Sequence, residues 1–192
     1  MSDNSALSLE EYRALRATIR ERGTARLIVT VITFVAWSAL AVAIHALSTI
    51  PAMTLLPLIT LAAGFEVIFA AHVGVERIGR FLYVHYEAAG STMPCWERAI
   101  GDVGPRAGAG SGIDPLCSVL FIIATIANLV PLAFMTAAAE FQEGHPGIPW
   151  SFGFFAIAHA LFVVRVLGAR RFAATQRRRD TELFQDAARS RA

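Results

Sequence analysis

The chain of 192 residues is 55% hydrophobic and only 17% charged, and its mean hydropathy is +0.53. Because soluble domains usually carry roughly 25% charged residues, this composition argues against an ordinary soluble fold and for one integral membrane domain. The net charge of +2 gives no indication of nucleic-acid binding.

The N-terminal stretch, residues 1–26, predicts a cytoplasmic amphipathic helix. Ser8 and Glu11 have the spacing of a capping box, and Tyr12 and Leu15 begin an apolar face. The preferred interpretation is an interfacial helix whose arginines lie among lipid headgroups. The alternative is a coiled-coil contact with a second subunit.

Four further segments are long and apolar enough to cross hydrocarbon, which takes about 20 helical residues. In chain order they are residues 27–47, 51–73, 115–139 and 146–164. The first exceeds the apolar core of a signal peptide, so we expect it to be retained as a span. The sequence therefore predicts an all-α integral membrane four-helix bundle. A soluble bundle is disfavoured because these segments leave too little polar surface.

Helical character continues past the second span. Residues 74–87 contain no proline, and His72, Glu76 and Arg80 form two successive i,i+4 pairs. We therefore expect one helix from about 51 to 86, extending into the cytoplasm as the start of the loop.

Arginine placement sets the predicted orientation. All seventeen basic residues are arginine, and they concentrate before the first span, in the loop 74–114 and from the end of the fourth span through the tail 169–192. Both termini and this loop are therefore predicted to be cytoplasmic, in the inner (plasma) membrane of the cell. Cys95 and Cys117 fall on that side, where reducing conditions disfavour a disulfide.

The basic tail is predicted to contact anionic lipid, since arginines near a membrane surface attract acidic headgroups. The expected lipid contacts are Arg170, Arg171, Arg177, Arg178 and Arg179.

Polar residues inside the spans are functional candidates, because hydrocarbon disfavours them strongly. At 1.5 Å per residue, Glu66 lies about 22 Å from the outer end of the second span, His159 near the midplane and Asn128 in the outer half. Alanines flank Glu66 at i−4, i−3 and i+4, so we expect it to face another helix. Glu66 and His159 then have two interpretations, interhelical hydrogen bonding and a proton or cation relay.

A polar stripe on the second helix runs from Glu66 through Arg80 to Glu87, within an arc of about 120°. It is interpreted either as a solvated face laced with ion pairs or as an inner vestibule leading towards Glu66. The candidate pathway residues are Glu66, His72, Glu76, Arg80, Asn128 and His159.

Metal, haem and enzymatic sites are not predicted. Four-helix di-metal sites use Glu-x-x-His motifs, which the sequence lacks. A bis-histidine haem needs histidines at similar depth, whereas His72 and His159 are about 16 Å apart in depth. No nucleophile elbow is present. We expect no cofactor, no metal and no catalytic activity.

The best-supported function from sequence is an oligomeric ion- or proton-conducting protein centred on Glu66. The alternative is a non-catalytic membrane subunit or scaffold that assembles with itself or a partner, and a redox or haem anchor is a weaker third. Four spans are few for an independent transporter, so a homo-oligomer or a membrane complex is expected. The lipid bilayer, including anionic lipids, is the other expected partner, and nucleic acid is not expected.

Overall fold

The chain is helical in nearly all of the part that the structure describes. The computed structural model describes residues 2–47, 51–87, 96–97, 99, 115–143 and 150–190. Within these ranges there is no strand and the chain forms four long helices, which confirms the predicted all-α class. They are α1 (Ser2–Leu47), α2 (Leu55–Leu82), α3 (Pro115–Glu143) and α4 (Trp150–Arg189).

Among the residues that the structure describes, three helical stretches are long and apolar enough to cross a membrane. They are Ser8–Leu47, Ala52–Glu87 and Gly153–Arg189. The described apolar part of α3, Pro115–Val130, is shorter, although the helix itself continues to Glu143. The first, second and fourth predicted spans therefore fall in helices of sufficient length, and the third falls on α3.

The second helix extends as far as the sequence predicts. A 3-10 turn, Pro51–Thr54, leads into α2, and a π-helical turn, Tyr83–Glu87, continues the helical path after Leu82. The prediction of a helical segment from about 51 to 86 is confirmed. The absence of proline after the span leaves the backbone hydrogen bonding uninterrupted.

Two helices are longer than predicted. α1 is one uninterrupted helix of 46 residues, so the N-terminal amphipathic stretch and the first predicted span are continuous. α4 continues over 40 residues to Arg189, so most of the basic tail is helical. Neither helix contains proline, and the alanine, arginine, glutamine and leucine of the tail have high helix propensity.

Contacts divide the chain into two compact units. The apolar unit comprises Ile28–Ile68 and Asp114–Gly168, and the polar unit comprises Met1–Leu27, Phe69–Ile113 and Ala169–Ala192. α1, α2 and α4 contribute residues to both units, whereas α3 belongs to the apolar unit.

Within each unit α2 and α4 run parallel, because the numbers of their contacting residues rise together. In the apolar unit these contacts are Phe65–Phe162 and Glu66–Arg165, and in the polar unit Phe69–Phe172, Glu76–Arg177 and Arg77–Asp180.

An aromatic cluster forms the core of the apolar unit. The ring of Phe65 lies 5.3 Å from that of Phe121 and 5.9 Å from that of Phe162, in edge-to-face geometry. A side chain at Gly64 would clash with Thr33 on α1, so this glycine allows α1 and α2 to approach closely.

The apolar unit has an inverted distribution of polarity. Its buried side chains include the polar residues Thr33, Thr54, Ser118, Thr125, Asn128 and His159. Its outer surface carries large apolar side chains that are each at least 60% exposed, among them Val31, Ile32, Val35, Ile59, Leu161 and Val164. Such a surface is unfavourable in water and favourable in hydrocarbon.

Candidate functional site

Asn128 and His159 form a buried hydrogen-bonded network in the apolar unit. They are 3% and 1% exposed. Asn128 Nδ2 donates to the carbonyl oxygen of Thr54 and to His159 Nε2, each at 2.9 Å. His159 Nδ1 donates to the carbonyl oxygen of Phe155 at 2.7 Å, so this geometry assigns the imidazole proton to Nδ1. The network joins α3 to α4 and to the 3-10 turn before α2.

This geometry matches the packing interpretation of His159. Both ring nitrogens of His159 and the side-chain amide nitrogen of Asn128 have hydrogen-bond partners inside the unit. The two side chains therefore hydrogen-bond neighbouring helices to each other. The sequence places His159 near the midplane and Asn128 in the outer half, and these depths do not show that the two side chains face each other. Their rotation about α3 and α4 is set by the aromatic packing.

Glu66 lies on the surface of the apolar unit and pairs with an arginine of α4. Arg165 Nη2 donates to Glu66 Oε2 at 2.8 Å. The Glu66 side chain is 50% exposed and that of Arg165 is 40% exposed. The Arg165 guanidinium also lies 5.8 Å from the centre of the Phe65 ring, in a cation–π contact.

Glu66 does contact another helix, because it pairs with Arg165 of α4, but the contact lies at the surface of the apolar unit and not in its core. The core-facing position of this turn is taken by Phe65, which is fully buried. Successive helical residues are rotated by about 100°, so Glu66 points away from the core that Phe65 occupies. The adjacent Ala63 is likewise exposed, so this small-residue surface is open in the single chain.

Arg165 was missed from the candidate residues, although the sequence contains a signal for it. It follows directly on the fourth predicted span, about 24 Å from the outer end when counted from Pro149 at 1.5 Å per residue. That depth nearly equals the 22 Å or so estimated for Glu66. An acid and a base at matching depth on two spans predict an ion pair, whereas spacing along one helix does not reveal it.

In the polar unit, His72 contacts α1, and Glu76 contacts α4 and Arg80 of its own helix. Arg26 Nη1 lies 3.3 Å from His72 Nδ1, so Nδ1 accepts. Glu76 Oε2 lies 2.7 Å from Arg177 Nη2 and 3.5 Å from Arg80 Nη2. One carboxylate is thus shared by guanidinium groups from two helices.

Within the polar unit, the polar residues of the stripe form ion pairs and are only partly solvated. His72 and Glu87 are buried, and Glu76 and Arg80 are half-buried in ion pairs of the polar unit. Glu66, by contrast, is exposed in the apolar unit. The interpretation as an inner vestibule leading to Glu66 stays a prediction.

An arginine of α1 bridges two carboxylates near the end of α2. Arg16 donates from Nη2 to Glu87 Oε1 at 2.8 Å and from Nη1 to Glu97 Oε1 at 2.9 Å. The Glu97 backbone N–H donates to Glu87 Oε2 at 2.8 Å. Burial raises the pKa of Glu97, with the nearby Glu87 acting in the same direction and Arg16 opposing it. One guanidinium thus faces two carboxyl groups.

A tyrosine contact lies beside this bridge. Tyr86 Oη donates to Glu11 Oε2 at 2.6 Å, and this bond raises the pKa of Tyr86 to about 12. The rings of Tyr12 and Tyr86 lie 5.6 Å apart. The N-terminal stretch therefore contacts the π-helical turn after α2 of its own chain, and it is continuous with the first predicted span. Its contact with lipid headgroups stays a prediction.

The tail arginines divide into two groups. Arg177 turns inward to Glu76, whereas Arg171, Arg178 and Arg179 are exposed. Arg171 and Arg178 line an open groove of about 430 Å³ on α4. By helical rise, residues 177–179 lie about 20 Å beyond the end of the fourth predicted span. Lipid contact by the exposed arginines, and by Arg170, stays a prediction.

Among the described residues, no group of three or more histidine, cysteine or acidic side chains is arranged to hold a metal ion. Comparison with family models, curated proteins and solved structures found no match for this chain.

Proposed function

We propose that the chain is a multi-pass protein of the inner (plasma) membrane with four spans and both termini in the cytoplasm. The inverted polarity of the apolar unit supports the membrane environment, and the arginine distribution supports the orientation. In a variant with both cysteines replaced by serine, an impermeant maleimide added to intact cells should label Gly144→Cys and not Asp186→Cys. Labelling of Asp186→Cys from outside would overturn the orientation.

Within that membrane, the chain acts as a non-catalytic subunit that assembles through the surface around Glu66. The observation that carries this proposal is the ion pair of Glu66 and Arg165, which is exposed among apolar side chains. Charged groups facing hydrocarbon cost several kcal/mol. A protein partner that covers the pair replaces the surrounding lipid with polar groups. Assembly therefore offsets the free-energy cost of exposing these charges to hydrocarbon.

Ion or proton conduction centred on Glu66 is the second candidate. The same observation favours it, because a ring of subunits would enclose the exposed carboxylate in a shared pore. Against it, Asn128 and His159 are bonded to each other and buried. They do not extend a polar path from Glu66 within the described part of one chain.

A flux measurement separates the two candidates. Wild-type protein is reconstituted into liposomes that contain a pH-sensitive dye and carry a cation gradient. A non-conducting subunit gives the flux of protein-free liposomes. Conduction instead gives flux that Glu66→Gln lowers to background and that Glu182→Gln, at an exposed glutamate of α4, leaves unchanged.

Assembly itself is tested by photo-crosslinking in native membranes. A photoreactive residue at Leu161, which is exposed beside Arg165, should give a protein adduct of discrete mass. The same residue at Val31, on the exposed apolar surface of α1, should give lipid adducts. Lipid adducts alone at both positions would overturn the assembly proposal.

A further inference from the structure

The surface around the exposed ion pair has a defined composition, and we call it the Glu66 face. It consists of Ile59, Ala63 and Glu66 on α2 and Leu161, Arg165 and Gly168 on α4, all in the apolar unit. Ile59 and Leu161 present large apolar side chains that are 60% and 64% exposed. A charged pair thus lies in a surface that is otherwise apolar.

Small residues flank the pair on both helices. Ala63 lies one turn before Glu66, and Gly168 lies one turn after Arg165. A Cβ placed on Gly168 would meet no atom within 4 Å, so the surface is open there. Small residues let a second helix approach until polar groups reach hydrogen-bond distance.

The charge pattern of the Glu66 face is complementary to itself. Glu66 and Arg165 lie side by side on parallel helices, at nearly the same predicted depth, with one negative and one positive charge. A twofold axis along the membrane normal keeps depth and topology and reverses the lateral order of the two charges. Glu66 of one copy then faces the partner's Arg165, and Arg165 faces the partner's Glu66.

We propose that the Glu66 face is the interface of a homodimer, in which two Glu66–Arg165 pairs meet about a twofold axis and form a ring of four alternating charges. This inference rests on the proposed assembly function and names its partner. A second copy supplies both charges at the required depth by symmetry, whereas an unrelated helix would need an acid and a base at the same level. Lipid supplies neither inside the hydrocarbon region.

Self-sorting of charge-reversed chains tests the proposal. The double variant Glu66→Arg/Arg165→Glu keeps an ion pair within each chain and keeps the alternating ring in its own homodimer. A mixed dimer with wild type instead places Glu against Glu and Arg against Arg. We expect wild-type and double-variant homodimers to form equally, and mixed dimers to be weaker by at least about tenfold, since like charges that face each other at an interface repel.

The measurement is co-purification of two chains that carry different affinity tags and are expressed in the same lipid bilayer. The pairs compared are wild type with wild type, double variant with double variant, and wild type with double variant, and the mixed pair is measured with the tags both ways round. The matched control is Arg77→Asp/Asp180→Arg, which reverses a pair between the same two helices in the polar unit. Its mixed dimers with wild type should form as readily as homodimers. Homodimerisation of the double variant shows that the reversed chain has folded.

Mixed Glu66→Arg/Arg165→Glu dimers that form as readily as homodimers would overturn the proposal, as would wild-type protein that is monomeric in the bilayer. Photo-crosslinking from Leu161 distinguishes that failure from a failure of the assembly function. A discrete adduct whose mass is not twice that of the chain would overturn only the homodimer. Lipid adducts alone would overturn both.

Discussion

The apolar and polar units place the same kind of ion pair in opposite surroundings. In the polar unit, Arg177 meets Glu76 within a network that also includes Arg80, and both partners are largely buried in protein. In the apolar unit, the Glu66–Arg165 nitrogen–oxygen distance of 2.8 Å is similar to the 2.7 Å of the Glu76–Arg177 pair. Glu66 and Arg165, however, lie on the outer surface among apolar side chains. The comparison teaches that the pair's role depends on what surrounds it. The Glu76–Arg177 pair holds helices of one chain together, whereas the Glu66–Arg165 pair needs a protein partner that shields it from lipid.

The largest expected difference between the units is the cost of removing one arginine. Arg165→Leu leaves the Glu66 carboxylate without this partner in an apolar environment, so we expect a loss of about 3 kcal/mol in the free energy of unfolding. Arg77→Leu removes one partner of the Asp180 carboxylate, which is 8% exposed but keeps its hydrogen bond from Gln176. We therefore expect a smaller loss of about 1.5 kcal/mol. Unfolding equilibria in bicelles measure both values.

The double variant Glu66→Leu/Arg165→Leu sharpens this prediction. Removing both charges eliminates the exposed pair, so the free energy of unfolding should return to within about 1 kcal/mol of wild type. Association should be weaker than in wild type, because the alternating charges are gone. If the double variant is as unstable as Arg165→Leu, the unpaired Glu66 carboxylate is not the cause of the instability, and the prediction is contradicted.

A smaller effect is expected inside the apolar unit. Asn128→Ala removes the donor to both the Thr54 carbonyl and His159 Nε2, so we expect a loss of about 1–2 kcal/mol in stability. The control Thr175→Ala removes a hydroxyl exposed on α4 that bonds only locally, to the Arg171 carbonyl, and should change stability by less than about 0.5 kcal/mol. Equal effects of the two substitutions would contradict a structural role for the buried network.

The smallest predicted effect is a pH dependence in the polar unit. The pKa of Glu97 is raised from its ordinary value of 4.5, chiefly by burial. The folded contact therefore favours the protonated acid, and its stability falls as the pH rises from about 4.5 through the raised pKa. Hydrogen exchange of α1 around Arg16, corrected for intrinsic rates, should show more frequent opening over that window.

The Glu97→Gln variant provides the control for this effect, because it cannot titrate. Its α1 should open with a frequency that does not change over the same window. A pH dependence in Glu97→Gln equal to that of wild type would assign the effect to another group.

The sequence predicts positions along helices better than their rotation. Apolar length and the absence of proline predicted the all-α class and the extension of the second helix, because both depend on local residues. The inward turn of Arg177 and the pairing of Glu66 with Arg165 depend on how α2 and α4 pack. That packing is decided by Phe65, Phe162 and their neighbours, and a single sequence does not encode their contacts as a pattern.

The distance between two copies at the Glu66 face tests the central claim most directly. Spin labels at Ala63→Cys and, as a control, at Val42→Cys on the exposed surface of α1 are placed in a chain with both native cysteines replaced by serine. Pulsed dipolar spectroscopy in bilayers should give an interchain distance of about 10–20 Å at Ala63, since packed helix axes lie 8–10 Å apart, and a longer one at Val42. No interchain distance at Ala63, or a shorter distance at Val42, would contradict the account.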